Sequence, residues 1–297
     1  MTSTLRSLDG RPGKGGQIDR SAYPFVSRWM DLPAGRMHYV DEGDGEPLLF
    51  VHGTPTWSFE WRHLIRAFAP THRCVGPDHI GFGLSDRPHD FAYTPEAHSE
   101  NLARFVEKLN LERFVLVVHD CGGPIGLALR IQNPERVTRL VLTNTWMWSF
   151  AGDRDMPRVG RMAGSRLGRF LYRWANFSLR VITPQGYADR SKLTPQIYRQ
   201  YLERFPDRWS RGTVLWVLAR ALLGSSRYYD SLWDRREKLR GRPALILWGM
   251  KDPASGRTSL PVGQRFCRPP GWWSWRTPVT GRTKKRPTAS SLRCGIS

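Results

Sequence analysis

Residues 114–126 read FVLVVHDCGGPIG, and this stretch decides the fold. Phe114–His119 is an unbroken apolar run rich in β-branched residues, the composition of a strand buried on both faces of a parallel sheet. Asp120, Cys121 and the pair Gly122-Gly123 follow at once, and from there to Gln132 the pattern is helical. A small residue two places after Asp120 lets a strand turn sharply into a helix. Asp120 then stands at the apex, either as a nucleophile or as a plain cap on the helix behind it.

Working outward, Arg36–Asp41, Pro47–His52, a segment ending at Asp78, Arg139–Thr143 and Ala244–Trp248 read as further strands, with helices at Pro95–Leu109 and Gly122–Gln132. This alternation predicts an α/β fold: a mostly parallel, doubly wound sheet with right-handed crossovers. Between Trp146 and about Arg240 the strand signal vanishes. Amphipathic segments follow one another there, at Arg166–Val181, Pro195–Phe205, Gly212–Leu223 and Tyr228–Leu239, so a helical lid is expected between two strands, over the carboxyl ends where such sheets bind ligands. The expected organisation is a leader (1–20), an α/β core (21–145), a helical cap (146–240), a return to the core (241–253) and an aberrant basic tail (254–297).

The chain has 297 residues, 40% hydrophobic and 24% charged, with four cysteines and a net charge of +20. These values exclude a disordered or membrane-spanning protein. Unevenly spaced cysteines suggest reduced thiols, and the first 20 residues lack the apolar core of an export signal, so a cytoplasmic location is expected. A charge of +20 invites a nucleic-acid partner, yet residues 254–297 alone hold nine Lys/Arg and no Asp or Glu.

Several motifs carry a resemblance to a known family: Tyr23-Pro24-Phe25, residues 35–43 (GRMHYVDEG), residues 52–58 (HGTPTWS), Pro77-Asp78 through Ser85, Asp120 with Gly122-Gly123-Pro124-Ile125, and residues 248–252 (WGMKD). Over residues 20–253 the chain resembles the haloalkane dehalogenases of the α/β-hydrolase superfamily. That resemblance implies an Asp nucleophile at Asp120, which displaces halide from carbon to give an alkyl-enzyme ester. It further implies backbone oxyanion donors at Thr54 and Cys121, and an orienting acid at Asp252 for a histidine that activates water. A small apolar substrate is expected, with no metal, no cofactor, no nucleic acid and no membrane. Asp252 is otherwise a simple turn residue before Pro253. Asp78, Ser85 and Asp86 match the family too, but read as turn and packing residues.

Three departures qualify the resemblance. The family carries a Trp directly after the nucleophile and commonly an Asn in the H-G-x-P loop, to hold the leaving halide; Cys121 and Thr54 stand there instead, and both are poorer or differently placed donors. An epoxide or a strained lactone therefore competes as substrate, with lid tyrosines (Tyr172, Tyr187, Tyr198, Tyr201, Tyr228, Tyr229) as possible acids or mere packing residues. All eight histidines, His38 to His119, precede the lid, whereas the family's catalytic His follows the last strand. His119 alternates to the opposite face of its strand from the nucleophile and reads as structural.

The tail matches no strand or helix template. Reading each codon from the last base of its predecessor, with permitted synonymous choices, turns residues 267–289 into a family-like ending that contains Gly-His-Trp. A one-base deletion near Ala254 or Ser255 would produce the observed tail, leaving an impaired enzyme. The competing reading is a catalytically dead protein whose tail binds nucleic acid through Arg282, Lys284, Lys285 and Arg286, with Trp272, Trp273 and Trp275 to stack on bases.

Overall fold

The computed structural model describes residues 17–153 and 156–249, together with the backbone of residues 273–276. Eight strands form one sheet: β1 (Arg28–Leu32), β2 (Gly35–Glu42), β3 (Pro47–Val51), β4 (Arg73–Pro77), β5 (Phe114–Asp120), β6 (Val137–Thr145), β7 (Ala244–Trp248) and β8 (Trp273–Arg276). Their order is β1-β2-β4-β3-β5-β6-β7-β8, antiparallel only for β1 with β2 and β2 with β4. β5 lies inside the sheet between β3 and β6, and its first five residues are buried. That position explains why FVLVV lacks the polar alternation of a half-exposed strand.

The expected α/β architecture and its strands are present with shifted ends, and β1 and β8 are added to the expected strands. Helices α1 (Arg62–Phe68), α2 (Pro95–Lys108) and α3 (Gly122–Gln132) connect the core strands. The cap follows: α4 (Met156–Gly164), α5 (Arg166–Ala175), α6 (Thr183–Gly186), α7 (Pro195–Leu202), α8 (Arg208–Ser210), α9 (Trp216–Gly224) and α10 (Ser226–Asp234). The amphipathic segment expected at Arg166–Val181 forms more than one element, because Asn176 adopts a left-handed conformation (φ 53°) that ends α5 before a π-helical turn at Ser178–Ile182. The expectation that the tail has no strand is also corrected. Trp273–Arg276 pairs in parallel with β7, so β7 is not the edge of the sheet.

Hydrogen bonds seat the cap on the core. Trp57 Nε1 donates to the Gln200 carbonyl (3.2 Å), Arg87 Nη2 to the Arg204 carbonyl (2.7 Å), and the Tyr228 hydroxyl to the Pro124 carbonyl (2.9 Å).

Asp78 is fully buried in the core. Its carboxylate accepts from Ser58 N (2.8 Å) and Leu84 N (2.9 Å) and pairs with His38 Nδ1 (2.8 Å), while Ser85 Oγ donates to its carbonyl (2.7 Å). Asp86 Oδ2 accepts from Arg36 N at 2.9 Å, so these acids tie loops to β2 as the packing reading anticipated. Burial pushes the Asp78 carboxyl up, but His38, with His52 and Ser58, outweighs burial and holds it below its ordinary value. Its stabilising contribution is therefore present above the unfolded carboxylate value and is lost as pH falls through the lower folded value. Asp78→Ala, which strands His38 and two backbone N–H groups, is expected to cost about 3–5 kcal/mol at neutral pH. Urea unfolding checks this, and a loss under about 1 kcal/mol would contradict it.

Candidate active site

Strand β5 delivers Asp120 to the carboxyl edge of the sheet with φ 50°, in the left-handed region. A non-glycine residue persists there only where its surroundings over-determine it. Thr145 Oγ1 donates to the Asp120 carbonyl at 2.6 Å, and a Cβ at Gly122 would collide with the Val51 carbonyl oxygen, so only glycine lets α3 start this close to β3. Gly53 likewise has no room for a Cβ against Asp120 itself. The capping alternative does not hold: the N-cap of α3 is Cys121, without a side-chain cap bond, and the Asp120 carboxylate turns back to the loop after β3.

There Thr54 N donates to Asp120 Oδ1 at 2.9 Å. Desolvation raises the Asp120 pKa, while His119 and the Thr54 and Cys121 backbone N–H groups pull the other way without cancelling it. Burial and the charge of Asp120 push the Cys121 thiol well above its ordinary value, so it stays protonated as a donor beside the carboxylate. Thr54 Oγ1 is buried and has no hydrogen-bond partner among the described residues. Three of the four expected site residues, Thr54, Asp120 and Cys121, thus come together. Asp252 lies outside the described residues.

These three residues line a cavity of about 230 Å³ beneath the cap, with walls that include Trp146, Phe150, Phe177 and Leu218. Of the six lid tyrosines, Tyr172 and Tyr229 line it. The others bond elsewhere: Tyr187 with Tyr201 (3.2 Å), Tyr198 with the Leu179 carbonyl (2.8 Å) and Tyr228 with Pro124. Burial, assisted by the charge of Asp120, pushes Tyr172 up to about 12, and burial drives Tyr229 well above its ordinary value. Both phenols are protonated donors at neutral pH.

None of the eight histidines lines this cavity. His52 donates from Nδ1 to the Gly53 carbonyl (2.7 Å) and accepts from His79 N at Nε2 (2.9 Å), so it is a neutral structural group whose pKa burial lowers. His119 pairs through Nδ1 with Glu60 Oε1 at 3.1 Å, away from the cavity wall, in keeping with its structural reading.

Glu60 escaped the sequence reading. Its other oxygen accepts from the Thr56 hydroxyl, in the loop that carries Thr54, and its first is bound to the residue preceding Asp120. One nearly buried carboxylate therefore clasps the two segments whose backbone N–H groups face Asp120. Burial pushes Glu60 up, but His119, with His52 and Thr56, outweighs burial and keeps it below its ordinary value. A lone acid in a short 3-10 helix (Ser58–Trp61) gives no signal in sequence, because its partner lies 59 positions away.

Residues 46–269 match the family model described as "alpha/beta hydrolase fold". The chain belongs to the α/β-hydrolase family. Within it, the chain is similar to Haloalkane dehalogenase 2 of Mycobacterium tuberculosis, 36% identical over 236 residues that cover 80% of this chain and 82% of the relative. It is also similar to the cis-3-alkyl-4-alkyloxetan-2-one decarboxylase of Shewanella oneidensis, 34% identical over 238 residues that cover 77% and 74% of the two chains. Among solved structures, haloalkane dehalogenase DatA from Agrobacterium tumefaciens superposes with a TM-score of 0.72 at 25% identity, covering 86% of this chain and 89% of that one. The chain is a haloalkane dehalogenase-like α/β hydrolase.

The raised pKa of Asp120 yields a prediction about stability. A carboxylate raised on folding contributes stability that is present at low pH and lost as pH rises through its folded value. At neutral pH the charged side chain therefore costs stability that a neutral isostere does not. Asp120→Asn should melt higher than the parent at pH 7, by a few degrees, with the gap closing toward pH 4; a gap constant across this range would contradict the account.

Proposed function

We propose that the chain is an Asp-nucleophile hydrolase of small apolar electrophiles, with Asp120 as nucleophile, and that it stalls at the covalent ester for lack of a base. The hydrogen bond from Thr54 N to Asp120 Oδ1 carries this reading. It holds one carboxylate oxygen, and in this reading the other attacks from the cavity side. Attack on a carbon bearing halogen forms the O–C bond of an ester while the C–halogen pair departs as halide. The Thr54 hydroxyl, unpartnered among the described residues, and the protonated Cys121 thiol are the side-chain donors offered to the departing halide in this reading.

Hydrolysis needs a second set of groups. Water must attack the ester carbonyl, whose developing oxyanion would be met by the Thr54 and Cys121 backbone N–H groups. A base must take the proton of that water, a contribution of typically ~10²–10⁴-fold. No histidine lines the cavity, which supports a stalled second step. In this reading Asp252 orients a histidine that a shifted reading frame after about Ser255 has replaced with the basic tail. Restoring the alternative frame is then expected to restore turnover.

A strained lactone or an epoxide is the second reading. The relative named as an oxetanone decarboxylase favours the first of these, and the protonated phenols of Tyr172 and Tyr229 suit a leaving oxygen better than a halide.

The test is intact mass with peptide mapping after incubation with a bromoalkane and, separately, a β-lactone. An alkyl group in place of one hydrogen, or the whole mass of the lactone, should appear on the peptide bearing Asp120, persist for hours, and be absent from Asp120→Asn. Modification by the lactone alone would favour the second reading. A folded chain left unmodified by both, or product released beyond one equivalent, would overturn the proposal.

A further inference from the structure

The outer face of the cap has a chemistry that a buried lid does not need. On α5, Leu167, Phe170 and Trp174 are 62%, 56% and 50% exposed, although they follow the i, i+3, i+7 spacing of an apolar helix face. Phe170 and Trp174 stack on one another with ring centroids 6.3 Å apart and an interplanar angle of 26°. The inward side of the same helix is already satisfied by Gly168 and Tyr172, which are buried. The exposed stripe is therefore a second apolar face, not a misplaced core face. Soluble proteins seldom leave contiguous patches of this kind unless something covers them.

Charge identifies the occupant. Residues 156–188 contain six arginines (Arg158, Arg161, Arg166, Arg169, Arg173, Arg180) and no Asp or Glu. Helical spacing puts Arg166, Arg169 and Arg173 along one edge of the apolar stripe. Arg208 adds its guanidinium over the Trp174 ring, 3.9 Å from the centroid. An apolar face bordered by guanidinium groups, with a tryptophan among them, has the layout of an interfacial helix. The apolar side chains enter the acyl boundary and the arginines meet anionic headgroups. Two copies of this face brought together would oppose arginine to arginine, which disfavours a dimer contact. An aliphatic Leu167 beside Phe170 suits acyl chains better than nucleic-acid bases.

Part of the cavity wall is exposed on the neighbouring helix. Val159 and Met162 on α4 are 48% and 46% exposed and also line the cavity, as does Leu171 on α5. We propose that the outer face of α4 and α5 docks on an anionic lipid surface, presenting the exposed part of the cavity wall to the bilayer. No helix among the described residues is long and apolar enough to cross a membrane, and peripheral adsorption requires none.

Flotation of the full chain with vesicles of phosphatidylcholine, or of phosphatidylcholine mixed with phosphatidylglycerol, tests this. The net charge of +20 would attract any anionic surface, so the decisive variants leave charge unchanged. Phe170→Ser combined with Trp174→Ser should weaken binding to the mixed vesicles at least ~10-fold, from the lost burial of two aromatic side chains. Leu167→Ser alone should weaken it by less, and exposure at all three positions should leave Tm unchanged. Equal binding by the parent and the double variant would mean that non-specific charge holds the protein and would overturn the proposal. So would equal binding to both vesicle types, or a double variant that loses self-association or oligonucleotide binding while its vesicle binding is intact.

Discussion

The site depends on one hydrogen bond made from a strained position. Asp120 is held left-handed at the end of β5, and Thr54 N fixes one of its carboxylate oxygens at 2.9 Å. For that bond to form, the loop after β3 and the turn after β5 must approach within contact distance. The parallel pairing of β3 with β5 sets their spacing, and the missing side chains of Gly53 and Gly122 allow the approach. Thr145 holds the elbow from the β6 side, and Glu60 clasps the two loops from beneath. Each of these contacts would be idle in a fold that did not need a carboxylate at that point.

Electrostatics divide the buried acids into two groups. Asp78 and Glu60 each have a histidine partner, and both lie below their ordinary values despite burial. Asp120 has backbone donors, the neutral Cys121 thiol and the charge of His119, but no directly paired cation, and remains raised. A carboxylate that is desolvated but not neutralised by direct pairing is a better nucleophile than one locked in an ion pair. The scaffold is thus held by paired charge, while Asp120, the proposed nucleophile, is left under-paired.

Much of this was legible in the sequence, and the exceptions have physical reasons. The run FVLVV is apolar because β5 is covered on both faces, so its reading as a buried strand needed nothing beyond composition. The loop HGTPTWS and the Gly pair after Asp120 marked both halves of the site. β1 was missed because RWMDL is short and lies at the edge of the sheet, where Trp29 is exposed. β8 was missed because WSWR sits in a segment without periodicity, and its strand character comes from pairing with β7, a tertiary effect that local propensity does not carry. α4 was missed because MPRVGRMAG holds a proline and two glycines. Which two of six lid tyrosines line the cavity depends on how α5 and α10 pack against the neighbouring helices, information that spacing along the chain lacks.

The cap then joins two surfaces of opposite purpose on one short helix. Tyr172 on the inner side of α5 meets the cavity, while Phe170 and Trp174 meet the outside. The same few turns thereby carry both a wall of the cavity and an exposed aromatic pair. The account rests on Asp120, and not its neighbouring thiol, forming the bond to substrate. A crystal structure of the chain soaked with a bromoalkane tests this most directly. Continuous density from Asp120 Oδ2 to the alkyl carbon, with Oδ1 still on Thr54 N, is the predicted result; an alkyl group on Cys121 Sγ, or intact substrate with no bond to the protein, would contradict it.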